Sequence, residues 1–138
     1  MNEIEIAAGL SPTPGYRYAT RVGDQLFVAG QVPHDTHGNI AGPGEPAQQA
    51  RRCLDNLQLV LESHSFAVSD IRQLKVYVVG NTDDLSTAWD AVAGWFAHDV
   101  PPATLLGVAR LGYHHQLVEV DATVVSDRTG TSCIAGSR

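Results

Sequence analysis

Residues 101–125, P-P-A-T-L-L-G-V-A-R-L-G-Y-H-H-Q-L-V-E-V-D-A-T-V-V, decide how this chain folds. They hold two apolar runs of strand character, Ala103–Val108 and 117–125, expected as a strand pair joined by a turn that carries Gly112, His114 and His115. In the second run Val118, Val120, Ala122 and Val124 point to one face of a strand, while Leu117, Glu119, Asp121, Thr123 and Val125 point to the other. Glu119 and Asp121 therefore share a face roughly 7 Å apart, each disfavouring the other's charge. That face needs water, a donor, a cation or a partner chain to cover it.

Working outward, the spacing predicts a helix over 46–64, where Ala47, Ala50, Leu54, Leu57 and Leu61 form one apolar stripe behind Pro46 at the favoured first position. Residues 70–79 read as a strand, apolar on both faces from Val76 to Val79. Asn81 caps a second helix over 85–98, striped by Leu85, Ala88, Val92, Trp95 and Phe96 and stopped by Pro101 and Pro102. Nearer the N-terminus, strands over 16–22 and 25–29 meet at Gly23-Asp24, a two-residue hairpin signal. The loop 34–45, with Gly38, Gly42, Pro43 and Gly44, is long enough to line a site. Residues 1–14 form an irregular lead-in with a short strand over 3–7, 15–126 one domain, and 127–138 a polar tail.

The expected order is strand, strand, helix, strand, helix, strand, strand: an α+β domain with one mixed sheet. Two helices cover one face of such a sheet. Because 26–29, 76–79 and Leu105-Leu106 are apolar toward both faces, the other face is expected to be buried against copies of the same chain.

With 138 residues, 43% hydrophobic and 17% charged, the chain has the makeup of one globular domain. Nine Lys and Arg against fifteen Asp and Glu give a net charge of −6 and no basic run, so no nucleic-acid partner is expected. No apolar run approaches the ~18–20 residues that span a bilayer, and residues 1–10 lack the pattern of a signal peptide. No membrane partner and a cytoplasmic location are expected. Cys53 and Cys133 do not make a disulfide framework. His34 and His37, like His114 and His115, sit in turns without a third or fourth ligand at metal spacing; solvent-exposed turn residues, and no metal, are expected.

Five segments carry a resemblance: Gly15-Tyr16, L-F-V-A-G-Q-V-P at 26–33, Q-A-R-R-C-L-D-N-L at 49–57, P-P-A-T-L-L-G-V-A-R-L at 101–111 and L-V-E-V-D-A at 117–122. Together they resemble the RidA/YjgF family of reactive-intermediate deaminases. The resemblance implies a chorismate-mutase-like sandwich assembled as a homotrimer, with ligand clefts between subunits and no cofactor. Archetypal members hydrolyse enamines and imines such as 2-aminoacrylate. By the family's pattern Glu119 takes the place of the water-activating glutamate, Tyr16 of the pocket tyrosine, and Gly30 of the glycine whose N–H faces the ligand.

The departures are informative. The arginine that forks onto the substrate carboxylate is replaced by Ala103, the serine before Gly-Gln by Ala29, an asparagine on the second helix by Trp89, and the cysteine two places after the arginine by Leu105. Gln31 and Thr104 flank these positions and complete the candidate binding set. A charged hydrogen bond of the lost kind is worth on the order of 1.5–3 kcal/mol, so the resemblance implies a substrate other than 2-aminoacrylate, bulkier or less anionic.

Two readings stay open at several positions. Glu119 is a general base or a carboxylate in an intersubunit network; Tyr16 orients a ligand or is a half-buried strand tyrosine; Trp89 packs in the core or at an interface. Arg110, Arg17 and Arg21 are candidate replacements for the missing clamp. The whole is a hydrolytic imine deaminase or a non-catalytic trimer that binds a small ligand. An endoribonuclease reading, a label carried by some relatives, is opposed by the acidic charge.

Overall fold

The computed structural model describes residues 3–127. Its strands are β1 (Ala19–Val22), β2 (Gln25–Val28), β3 (Ile71–Val79), β4 (Ala103–Val108) and β5 (Val118–Val125), and its helices α1 (Glu3–Ala7), α2 (Pro46–Ser63) and α3 (Thr82–Trp95). The strands form one sheet in the order β1-β2-β5-β3-β4. All neighbours are antiparallel except β3 and β4, whose parallel pairing requires a crossover that α3 supplies.

Strand β5 is central because its alternation serves two partners at once. Val118, Val120 and Val124 are buried beneath α2, and with Leu26, Leu74, Val76 and Val78 they build the core against Ala50, Cys53, Leu54, Leu57 and Leu61. Each such Leu or Val removed from water contributes about 1.5–3 kcal/mol. On the other face Phe27 and Leu106 remain 53% and 39% exposed in the isolated chain. The α+β class and the mixed sheet with both long helices on one face are as expected.

Local chemistry sets the element ends. Val22 pairs with Gln25 across Gly23, whose φ of 61° suits the hairpin. Asn81 Oδ1 accepts from Asp84 N at 3.0 Å while Asp84 Oδ2 accepts from Asn81 N at 2.9 Å, a reciprocal cap on α3.

Four expectations are corrected. Residues 3–7 are a helix rather than a strand: Ala8 N bonds Ile4 O, and the buried Glu5 carboxylate meets His64 Nε2 at 2.7 Å, seating α1 on α2. Strand β1 begins at Ala19 and not at Tyr16, because the Thr13 hydroxyl donates to Tyr16 O and Gly15 turns the chain at φ 94°. Helix α3 stops at Trp95, where Ala97 and His98 take positive φ and their N–H groups close onto Gly94 O and Ala93 O. The runs of β4 and β5 are not neighbours, for β3 lies between them. Residues 128–138 of the polar tail, Cys133 among them, lie outside the described residues.

Candidate functional site

Strand β5 puts Glu119 opposite Tyr77 of β3, on the face away from the helices. Gln116, 4% exposed, spends its whole amide there: Nε2 donates to Glu119 Oε1 at 3.2 Å and to Val118 O at 3.1 Å, and Oε1 accepts from Tyr113 N at 3.1 Å. The other carboxylate oxygen lies against Gly30. A β-carbon at position 30 would overlap Glu119 Oε2 and sit 2.9 Å from Cδ, so the carboxylate holds this position only while residue 30 is glycine. The Gly30 segment is fixed in turn, since Gln31 N donates to Val120 O at 2.6 Å and Val120 N to Gln31 O at 3.1 Å.

Tyr16 joins this group from the other end of the chain. Its hydroxyl meets that of Tyr113 at 3.1 Å, and the Tyr113 ring packs edge-on against His34 with centroids 4.6 Å apart. Burial, then the Tyr113 hydrogen bond, then the nearby Tyr113, Tyr18 and Glu119 charges, push the Tyr16 phenol well above its ordinary range. It is a neutral hydroxyl at physiological pH, able to donate and accept. Burial lowers the His34 imidazole from its usual value. His34 is thus a half-buried packing partner, with Nδ1 3.5 Å from Ser11 Oγ, and not the exposed turn residue expected. His37, His114 and His115 are exposed, and among the described residues no group of three or more His, Cys, Asp or Glu side chains is placed to hold a metal ion.

Helix α2 holds the loops around the site through polar side chains at its buried edge. Gln49 donates to Gly42 O and His115 O and accepts from Leu117 N at 2.7 Å. Asn56 donates to Val32 O and His34 O, and Arg52 Nε donates to His34 O at 2.9 Å. Cys53 is a free, fully buried thiol, which burial keeps well above its usual pKa. Sequence reasoning singled out none of Gln49, Asn56, Gln116 and Tyr113 as functional. The available signal was the seven-residue spacing of Gln49 and Asn56 beside an apolar stripe.

The other candidate residues stand elsewhere. Gln31 is 1% exposed and donates to Ala29 O, while its own Oε1 has no partner among the described residues. Trp89 packs against the core from α3. Ala103, Thr104 and Leu105 pair with Leu74, Lys75 and Val76. Ala103 and Leu105 therefore share the helix-facing side with Leu74 and Val76, opposite to Glu119. Ala103 lies two strands across and three residues along from Glu119, about 14 Å by strand spacing and rise. Within one chain, then, Glu119, Gly30 and Tyr16 converge, and Ala103, Leu105 and Trp89 do not join them. Of the candidate cations, Arg21 donates to Gly23 O and lies over the Phe66 ring, and Arg17 is exposed. Arg110 is exposed on the wall of a cavity of about 380 Å³ that Tyr113 and Gln116 also line. A hollow of about 410 Å³ beside Ile71, Phe96 and Pro101 lies at the far end of β3 from Val79 and holds none of these groups.

A mixed five-stranded sheet with both long helices on one face is the chorismate-mutase-like architecture of the RidA/YjgF structures. The chain belongs to the family described as endoribonuclease L-PSP, whose model matches residues 6–126. It is 28% identical to a RutC family protein of Pyrococcus horikoshii over 80% of this chain and 86% of that protein. It is 25% identical to the 2-iminobutanoate/2-iminopropanoate deaminase of Dermatophagoides farinae over 87% of this chain and 94% of that one. Among solved structures the YjgF gene product of E. coli superposes with a TM-score of 0.75 at 26% identity, covering 86% of this chain and 94% of its own.

Proposed function

We propose that this protein is a cofactor-independent hydrolase of the imine and enamine deaminase type, working in the cytoplasm as a homotrimer with its clefts between subunits. Glu119 is the water-activating base. The observation that carries this is the Glu119 carboxylate itself, oriented at one oxygen by Gln116 and pressed at the other against Gly30. In the reaction Glu119 takes a proton from water as its oxygen bonds to the imine carbon. The proton passes to nitrogen to give a carbinolamine; the hydroxyl proton then moves by way of Glu119 to nitrogen as the C–N bond breaks, and ammonia leaves a carbonyl product. An enamine first tautomerises to the imine.

The homotrimer is supported by the exposed Phe27 and Leu106 on the face without helices, and by the separation of Ala103, Leu105 and Trp89 from Glu119. A second copy is needed to bring the two sets to one cleft. Ala103 supports a substrate other than 2-aminoacrylate, and the acidic charge speaks against a nucleic-acid substrate. A non-catalytic small-ligand trimer is the second reading, favoured by the same alanine. Ammonia release from imines generated in situ by an amino-acid or amine oxidase, compared between wild type and Glu119→Gln, separates them. Acceleration lost in the variant supports the hydrolase; no acceleration by wild type with any imine leaves the binding protein.

A further inference from the structure

The hydroxyl pair Tyr16–Tyr113 joins residues 97 positions apart and is tied to Glu119 through Gln116, yet it has no part in the hydrolytic step above. Tyr16 comes from the segment before β1, and Tyr113 from the loop between β4 and β5. Tyr113 is held on three sides: by Gln116 at its backbone N–H, by the His34 ring edge at its own ring, and by Tyr16 at its hydroxyl. Gln49 anchors the same loop at His115 and Leu117. A side chain so fixed presents a preset hydrogen-bonding group rather than a mobile one.

The cation nearest the pair in the cavity lining is Arg110, exposed on the wall that Tyr113 and Gln116 share. Of the groups that act on Tyr16 only Glu119 is a carboxylate, and no arginine or lysine is among them. Among the described residues no ion pair involves Glu119. Arg52, the half-buried arginine nearest to His34, is committed to the His34 carbonyl. His34 is held toward its neutral form, and the position from which a second copy would offer a cation is Ala103. A carboxylate brought beside Glu119 here meets a like charge, with the exposed and solvent-screened Arg110 on the cavity wall as its offset, whereas a neutral group with an N–H finds both a donor and an acceptor in the hydroxyl pair.

We propose that Tyr113 is a specificity-determining residue of the cleft and that, with Tyr16, it selects an uncharged imine over one bearing a carboxylate. This rests on the deaminase reading for the word imine, but the selection is a property of binding and is measured without turnover. The probes are benzamide and benzoate, stable stand-ins of one shape and two charges. They are titrated into the full-length protein and into Tyr113→Phe, which keeps the ring against His34 and removes the hydroxyl, with binding followed by amide resonances of Gly30 and Gln116. Wild type is expected to bind benzamide about tenfold more tightly than benzoate, the worth of one good hydrogen bond. In Tyr113→Phe the share of the hydroxyl is lost and that ratio falls by at least about threefold, the Glu119 charge keeping the remainder. Benzoate binding as tightly as benzamide, a ratio that survives in Tyr113→Phe, or no binding of either probe overturns the proposal. Benzoate binding that disappears in Arg110→Gln also overturns it and makes Arg110 an anion clamp. Loss of ammonia release in Glu119→Gln is independent of each of these outcomes, so the two readings fail separately.

Discussion

The Gln116 amide nitrogen sits 3.2 Å from Glu119 Oε1, and the same side chain accepts from the Tyr113 backbone N–H at 3.1 Å. The conformation of the 109–117 loop is thereby tied to the direction of the carboxylate. Replacing Gln116 by Leu leaves the half-buried Tyr113 N without its acceptor and Val118 O with only the weak Cys53 thiol donor, which costs about 1–3 kcal/mol by urea denaturation. It also frees the carboxylate to rotate, so hydrolysis is expected to fall by at least about tenfold with the substrate KM less affected than kcat. Equal kcat in wild type and variant would show that Gln116 serves stability alone.

Gly30→Ala tests the other carboxylate oxygen. The atoms that a new β-carbon meets belong to the far end of the Glu119 side chain, which can swing away. The variant is expected to unfold within about 1 kcal/mol of wild type and to lose most of its hydrolysis. An active Gly30→Ala protein would mean that the carboxylate works from another position.

His34 supplies a pH signature. Burial lowers its folded-state pKa below the ordinary 6.5, so on acidification the unfolded chain takes up a proton that the folded chain resists. Stability is present above the unfolded value and falls as pH drops through the interval between the two. Asp35 also has a lowered pKa, chiefly through the Asn39 and His37 N–H groups, but its effect lies below its ordinary 3.8. Urea midpoints at about pH 5.5 and about pH 7.5 are therefore expected to differ less in His34→Asn than in wild type.

Phe27 and Leu106 test the assembly. Either residue changed to Lys puts a charge on the sheet face proposed to lie between copies, and sedimentation is expected to shift from trimer toward monomer while the circular dichroism of the fold persists. A trimer unaffected by both changes would place the interface elsewhere.

Much of the scaffold was legible in the sequence because its signals are local. The stripe from Ala47 to Leu61, the Asn81 cap, the Gly23 hairpin and the alternation of β5 each follow from a few neighbouring residues. Five-residue α1 is too short to show a helical period, and its seat depends on His64, which lies 59 positions from Glu5. The distance between β4 and β5 was hidden for a related reason: two apolar runs joined by a turn read alike whether they pair or bracket a third strand. At the site Glu119, Gly30 and Tyr16 were legible through the family's motifs. Gln116, Tyr113 and Gln49 were not, since each acts through tertiary hydrogen bonds and carries no periodic signal.

Gln49 clamps the backbone of the β4–β5 loop at His115 and Leu117, and Gln116 ties its far side to β5. The tip around Gly112 and Tyr113 is left as a short exchangeable cassette on a fixed mount. New side chains there would present different chemistry beside the same carboxylate without disturbing the sheet, so this tip is where divergence or laboratory evolution would retarget the protein at the lowest cost in stability.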